Sequence, residues 1–315
     1  MKVAFFGTQE FSKNILSGIL LNKNIEICLV VSQPDKAVGR KRIITYTEVK
    51  KFCISNDLKI LQPNSLRKGD ESIEFEKELK SLDLDFALVV AYGKIIPKNL
   101  LSIPKYGFIN IHGSILPLYR GASPVQEAIR LGDTETGLTI MQMSEGMDEG
   151  DIFSIKKVEI GKDEKSIDIF RKFEKIGPEL LINTLESIVS SKISPIKQNN
   201  EKATYCSKIN KEDGKVDFKK ESIDDIYNKY RAYYSWPGIF CFYKGKKINF
   251  EEVEYANELA CGFVSGEVVK KFKEIGIVCS DNKILILKKI KLEGKKSMDI
   301  LSFVNGNKDF LDYKF

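Results

Sequence analysis

The period of apolar and polar positions changes along the chain, and the changes mark its elements. The segment KVAFFG opens as a short apolar strand, Phe11, Ile15 and Ile19 recur at helical spacing up to Leu21, and Ile25 to Val31 reads as a second strand. Strand, helix and strand in so short a stretch make a right-handed parallel unit. The pattern returns with Lys59 to Leu61, an acidic helix over Ser72 to Ser81, and the wholly apolar Phe86 to Ala91, which suits a strand buried on both faces. The first domain is therefore read as α/β with a doubly wound parallel sheet. Ser123 fits a helix N-cap, Pro124 the first helical position and Gln126 the third position of a capping box, with an end near Leu131-Gly132. Thr139 to Met143 and Ile152 to Val158 are strand-like, and a long helix is predicted over Ile167 to Val189, interrupted at Gly177-Pro178.

Residues 190–208 are polar and almost aperiodic, so they read as a linker between a domain over 1–189 and another over 209–315. Beyond it, Ser222 to Tyr234 has helical spacing. Short strands then alternate with turns: Phe240 to Tyr243, Ile248 to Val253, Gly266 to Val269, Ile275 to Cys279 and Ile284 to Ile290. Many short strands predict a small β-barrel of the oligonucleotide-binding kind.

Charge adds a partner to this picture. Residues 1–189 carry 26 Lys and Arg against 26 Asp and Glu, whereas 190–315 carry 24 against 18, so the whole excess of +6 lies in the second part. A neutral domain joined to a basic one suggests a polyanion held by the latter, the alternative being lysines on solvated faces. The candidate phosphate contacts are Lys244, Lys246 and Lys247, then Lys270, Lys271 and Lys273, then Lys288, Lys289 and Lys291.

Other classes are excluded. No apolar run approaches the roughly 18 residues of a membrane helix, and the start has no signal-peptide pattern, so a cytoplasmic protein without membrane attachment is expected, and as a monomer. Six cysteines without a CxxC pair read as reduced, mostly buried thiols, and a single histidine leaves little from which to build a metal site. The first strand–helix turn, Gly7-Thr8-Gln9-Glu10, has one glycine where a dinucleotide fingerprint needs three, which argues against a nicotinamide or flavin oxidoreductase.

The candidate chemistry lies in Gly107 to Pro117, GFINIHGSILP. Alternation over Phe108 to His112 puts Asn110 and His112 on one face, and Gly113 and Pro117 turn the chain sharply away at a strand end, where doubly wound sheets bind ligands. A carboxylate can come from Asp148, Glu149 or Asp151 in EGMDEGD, and spacing does not choose among them. A carboxamide, an imidazole and a carboxylate without a nucleophile suit direct acyl transfer between two bound substrates, with donors on the oxyanion.

The segments FGTQEFS, VSQPDKAVGR, QPNSLR, VVAYGKIIP, INIHGSILPLYRGASPVQEAI, GDTETGLTIMQMSEGMDEGDI and SWPG span nearly the whole chain, and their order resembles the methionyl-tRNA formyltransferase family. The resemblance implies 10-formyltetrahydrofolate as cosubstrate, no metal, and charged initiator tRNA as acceptor. It implies Asn110, His112 and Asp148 as the catalytic trio, Ser114, Ile115, Leu116 and Pro117 as the folate-contacting segment, and Lys94, Ile95 and Ile96 as the pteridine loop. It also implies a basic arm over Lys36 to Tyr46, carrying Arg40, Lys41 and Arg42, that engages the tRNA near its acceptor end. Two rivals share part of the pattern. A formyltransferase acting on an amino-sugar nucleotide shares the core motifs, and an RNA-binding protein with an inactive formyltransferase fold shares the charge asymmetry.

Overall fold

The apolar runs of the first half assemble into a seven-stranded sheet in the computed structural model, which describes residues 1–38, 42–271 and 274–315. In chain order the elements are β1 (Lys2–Gly7), α1 (Glu10–Leu20), β2 (Glu26–Val31), β3 (Lys36–Val38), β4 (Ile43–Thr45), α2 (Glu48–Ser55) and β5 (Ile60–Leu61). They continue with α3 (Asp70–Ser81), β6 (Phe86–Val90), α4 (Lys98–Leu101), β7 (Phe108–His112), β8 (Arg120–Gly121), α5 (Pro124–Arg130), β9 (Glu135–Gln142), β10 (Ile152–Glu159) and α6 (Ser166–Val189). The sheet order is β10-β9-β7-β6-β1-β2-β5. β5, β2, β1, β6 and β7 pair in parallel, and the order reverses between β1 and β6 as in a doubly wound fold; β9 runs antiparallel to β7. Every residue of β6 is buried, as its unbroken apolar run requires.

The chain divides into two compact units. The first is Met1–Pro124, Thr136–Val158 and Phe170–Tyr205; the second is Val125–Glu135, Glu159–Ile169 and Cys206–Phe315. The core of the first includes Phe6, Leu29, Phe75, Leu79, Ala87 and Phe108.

Gly177-Pro178 does not interrupt α6, contrary to expectation. The helix runs unbroken from Ser166 to Val189 with Pro178 inside it. Proline forfeits one backbone bond, and the compensation is close packing on α1. A Cβ on Gly18 would stand 2.4 Å from Pro178 Cγ, and one on Gly177 would stand 2.6 Å from Ile15 Cδ1. Gly18→Ala is accordingly expected to destabilise the first unit by about 1–3 kcal/mol through overpacking, despite alanine's better helix propensity. Urea unfolding of the two proteins checks this; an unchanged midpoint would show that the helices can part at no cost.

The second unit holds β11 (Tyr205–Cys206, at its border), α7 (Ile223–Ala232), β12 (Ile239–Tyr243), β13 (Lys246–Leu259), β14 (Val268–Lys271), β15 (Glu274–Val278), β16 (Lys283–Leu292), β17 (Met298–Asp299) and α8 (Ile300–Gly306). Its antiparallel sheet, ordered β12-β13-β16-β15-β14 with β17 on β16, is consistent with a small barrel. Ile239, Ile248, Phe250, Ile277, Leu285 and Phe303 are among its core residues. β13, at 14 residues, is more than twice the predicted length. Register shifts at Phe250/Glu252, Glu252/Val253 and Ala256/Leu259 break the alternation that reveals a strand in sequence. α8, unread in the sequence, is capped by Asp299, whose carboxylate accepts from Ser302 N, and the terminal rings of Phe310, Tyr313 and Phe315 pack edge-on beside it. Cys53, Cys206, Cys241 and Cys279 are buried and outside any disulfide, while Cys261 is exposed.

Candidate active site

β7 positions the centre of the site because it lies between β6 and β9. Asn110 is in register with Val89 and Met141, and His112 with Thr139. Asn110 Nδ2 donates to Val89 O at 3.2 Å, which fixes the carboxamide plane. Its Oδ1 is buried and has no partner among the described residues. A buried acceptor without a donor costs free energy unless a ligand supplies one.

His112 is 5% exposed, and its Nε2 lies 2.9 Å from the carbonyl oxygen of Tyr119. A carbonyl only accepts, so Nε2 carries the hydrogen and Nδ1 is the nitrogen left for chemistry. Nδ1 stands 3.7 Å from Asp148 Oδ2. That is beyond a direct hydrogen bond, yet near enough for the carboxylate to balance a charge on the ring.

Of the three acidic candidates, the fold brings Asp148 to the histidine. Asp148 takes the left-handed backbone at φ 52°, and its Oδ2 accepts from Gly121 N at 2.8 Å. Glu149 folds its carboxylate over Gly146 instead, and Asp151 is held at the sheet margin by its carbonyl, which accepts from Gln142 N.

The segment after β7 folds back on itself. Ser114 Oγ donates to Leu118 O, Thr139 Oγ1 donates to Ser114 O at 2.6 Å, and Leu116 N donates to Thr139 Oγ1 at 3.2 Å. The Leu116-Pro117 peptide is cis. Thr139, fully buried on β9, thus fixes the loop, on which Ile115 and Pro117 are half-buried while Leu116 is buried. Sequence reading missed it; a hydroxyl within the apolar run LTIM was the available signal.

The other expected residues divide. Lys94 Nζ donates to Pro63 O and Asn64 O, and burial pushes its ammonium below the usual lysine value. Ile96 belongs to the core, while Ile95 is 64% exposed. In the basic arm Lys36 and Thr45 open a β3–β4 hairpin, Arg42 is exposed with φ 49°, and Ile43 and Ile44 are also exposed. Arg40 and Lys41 lie outside the described residues, as does Lys273.

Among the barrel lysines, Lys246, Lys270, Lys271 and Lys289 are exposed. Lys288 Nζ is 2.9 Å from both Glu254 and Glu274, Lys244 pairs with Asp309, and Lys247 Nζ lies 3.5 Å from the Phe240 ring centroid. Lys289 and Lys291 line a pocket of about 580 Å³ with Lys165, Tyr230, Tyr234 and Asn249. No helix among the described residues is long and apolar enough to cross a membrane, and no group of three His, Cys, Asp or Glu among them could hold a metal.

Comparison with known proteins extends these observations. The Formyl transferase family matches residues 1–185, and the Formyl transferase C-terminal domain matches 208–308. The chain is 42% identical to the methionyl-tRNA formyltransferase of Caldicellulosiruptor saccharolyticus over 98% of this chain and 97% of that protein. It is 39% identical to that of Sulfurimonas denitrificans, with the same coverage of each. The crystal structure of an N-formyltransferase from Helicobacter canadensis, in complex with folinic acid and dTDP-3-aminofucose, superposes with a TM-score of 0.66 at 20% identity, covering 91% of this chain and 98% of that one. The last likeness shows the shared fold, whereas the matched domains and the full-length identities place the chain in the methionyl-tRNA formyltransferase family.

Proposed function

We propose that the chain transfers the formyl group of 10-formyltetrahydrofolate to the free amino group of methionyl-initiator-tRNA, giving N-formylmethionyl-tRNA for translation initiation, with Asn110, His112 and Asp148 as its catalytic groups. The observation that carries the site assignment is a histidine of fixed tautomer facing Asp148, on the same strand as a carboxamide with a buried, unpartnered oxygen. That oxygen fits a substrate N–H, so the residues suit the folate–amine pair. The folate supplies an activated formyl carbon on its nitrogen.

The protein's part is electrostatic. The second N–H of Asn110 is free to donate to the formyl oxygen as it gains charge. A proton on His112 Nδ1 makes the ring a cationic donor to the same atom, and Asp148 balances that cation. The amine loses a proton and the departing nitrogen gains one, so the site needs a relay rather than a net acid, and Asp148 with His112 Nδ1 can provide it. Ser114 to Pro117, with Ile95, are assigned to the folate.

Residues 1–189 carry the chemistry in this reading. The basic part from 209, with Arg40, Lys41 and Arg42 of the arm, holds the tRNA, and the protein works as a cytoplasmic monomer. Relatives of 39–42% identity over nearly the whole chain favour the charged-tRNA acceptor over an amino-sugar nucleotide, and an enzyme over an inactive RNA-binding fold. The test is incubation with 10-formyltetrahydrofolate and either charged initiator tRNA or an amino-sugar nucleotide; formylmethionine should form in the first and no product in the second.

Lys289 and Lys291, in one pocket with two tyrosines, are the preferred barrel contacts, and Lys288, held by two carboxylates, contributes less. Replacing both Lys289 and Lys291 with Ala should flatten the log–log salt dependence of tRNA affinity by about 1.5–2, nearly one counterion per lost phosphate contact. An unaltered slope in a filter-binding titration would return both lysines to solvent.

A further inference from the structure

The aperiodic segment 190–208 lies almost wholly between the two matched family domains, yet its Gln198, Asn200 and Tyr205 side chains bond within the first unit. Arg120, 1% exposed, donates through Nε and Nη2 to Gln198 Oε1, at 3.1 and 2.7 Å, and through Nη2 to Asn200 Oδ1 at 2.7 Å. Its Nη1 reaches Tyr205 Oη at 3.4 Å. A guanidinium only donates, so it captures the carbonyl end of the Gln198 carboxamide and turns the NH₂ end outward. That NH₂ donates to Asp148 O at 2.8 Å and to Gly150 O at 2.7 Å. On the side-chain side, Gly121, next to Arg120, gives its N–H to Asp148 Oδ2.

We infer that Gln198, oriented by Arg120, is a positioning residue for Asp148: it fastens the backbone of the 148–150 loop so that the carboxylate stands opposite His112 Nδ1. Three features of the geometry favour such a clamp. Asp148 occupies the left-handed region, uncommon for a non-glycine residue although aspartate and asparagine adopt it more readily than the rest. The loop has little backbone pairing of its own between Gln142 and Asp151, whose amide and carbonyl meet at its base. A rotation of the loop by one peptide would carry the carboxylate away from the 3.7 Å separation on which its pairing with His112 depends. The inference rests on the catalytic reading of Asp148 given above.

Gln198→Glu tests the inference with almost no change of shape. One carboxylate oxygen still accepts from Arg120, while the other meets the two carbonyls that the amide had bound. Gln198→Met, which keeps the volume and removes both bonds, serves as a second variant should the first fold poorly. Both should lower kcat about 10- to 100-fold, with KM for charged tRNA and for 10-formyltetrahydrofolate within about threefold of the parent, since a clamp acts on positioning rather than on binding. Hydrogen exchange at the Gly121 amide should accelerate as its acceptor shifts.

A double-mutant cycle with Asp148→Asn decides how the effect travels. If Gln198 acts through Asp148, the second substitution costs less than about threefold in the Asp148→Asn protein. Losses that multiply, or KM values that rise with kcat unchanged, overturn the inference and leave the catalytic reading standing. Full activity of Asp148→Asn alone removes that reading, and this inference with it.

Discussion

His112→Ala is expected to lower kcat for formylation about 10²- to 10³-fold, the usual cost of one lost donor to an oxyanion. Alanine also removes the Nε2 bond to the Tyr119 carbonyl, at a cost of about 1 kcal/mol in stability, but it leaves the bonds that hold the 114–118 segment in place. Tetrahydrofolate affinity should therefore stay near the parent value. Asn110→Ala should lose turnover to a similar degree, with a secondary loss of stability of about 1 kcal/mol from the lost bond to Val89 O. Asn110→Asp keeps the shape and substitutes an acceptor for the donor, so it should be at least as damaging as alanine. If both residues act on one oxygen, as proposed, the double variant should lose much less than the product of the single losses. Single-turnover formylation with saturating charged tRNA measures each effect; near-parental turnover in His112→Ala would remove the ring from the chemistry.

The strand that carries these groups was legible because Phe108 to His112 alternates and Gly113 breaks it, and the structure places that strand at Phe108–His112. The choice of carboxylate was not legible from spacing and came only with the family resemblance. Asp148, Glu149 and Asp151 share one glycine-flanked loop, and their difference arises from the Gly121 amide and the Gln198 carboxamide, both distant in sequence. Side chain-to-backbone bonds of that kind leave no period, which is why 190–208 reads as a bare linker although Arg120, Asp148 and Gly150 all bond to it. The same blindness hid Thr139, whose hydroxyl is informative only once β9 lies beside β7. At Gly177-Pro178 a local rule gave the opposite error: the proline's missing donor predicts a break, but the side chain of Pro178 fits against Gly18 of α1. Charge told less than the fold does. Lys288 counts as one more positive residue in the sequence and is enclosed by Glu254 and Glu274 in the structure.

Asp148→Asn separates charge from shape at the third proposed catalytic position. Asparagine tolerates the left-handed backbone at φ 52°, and its carbonyl oxygen can still accept from Gly121 N, so loop and clamp should persist. What disappears is the negative charge 3.7 Å from His112 Nδ1. At an effective dielectric constant near 20 the attraction at such a distance is about 4 kcal/mol, an upper bound here because part of the carboxylate is open to water. A 10²- to 10³-fold loss of kcat, about 3–4 kcal/mol of activation free energy, is the expected result. Asp148→Ala removes the charge and the Gly121 bond together, and should be only slightly worse if the charge matters most. The informative comparison is between the two variants, with tetrahydrofolate binding measured on the same preparations. Should asparagine restore most of the activity that alanine loses, the carboxylate serves to hold Gly121, and the balancing of a protonated His112 drops out of the mechanism.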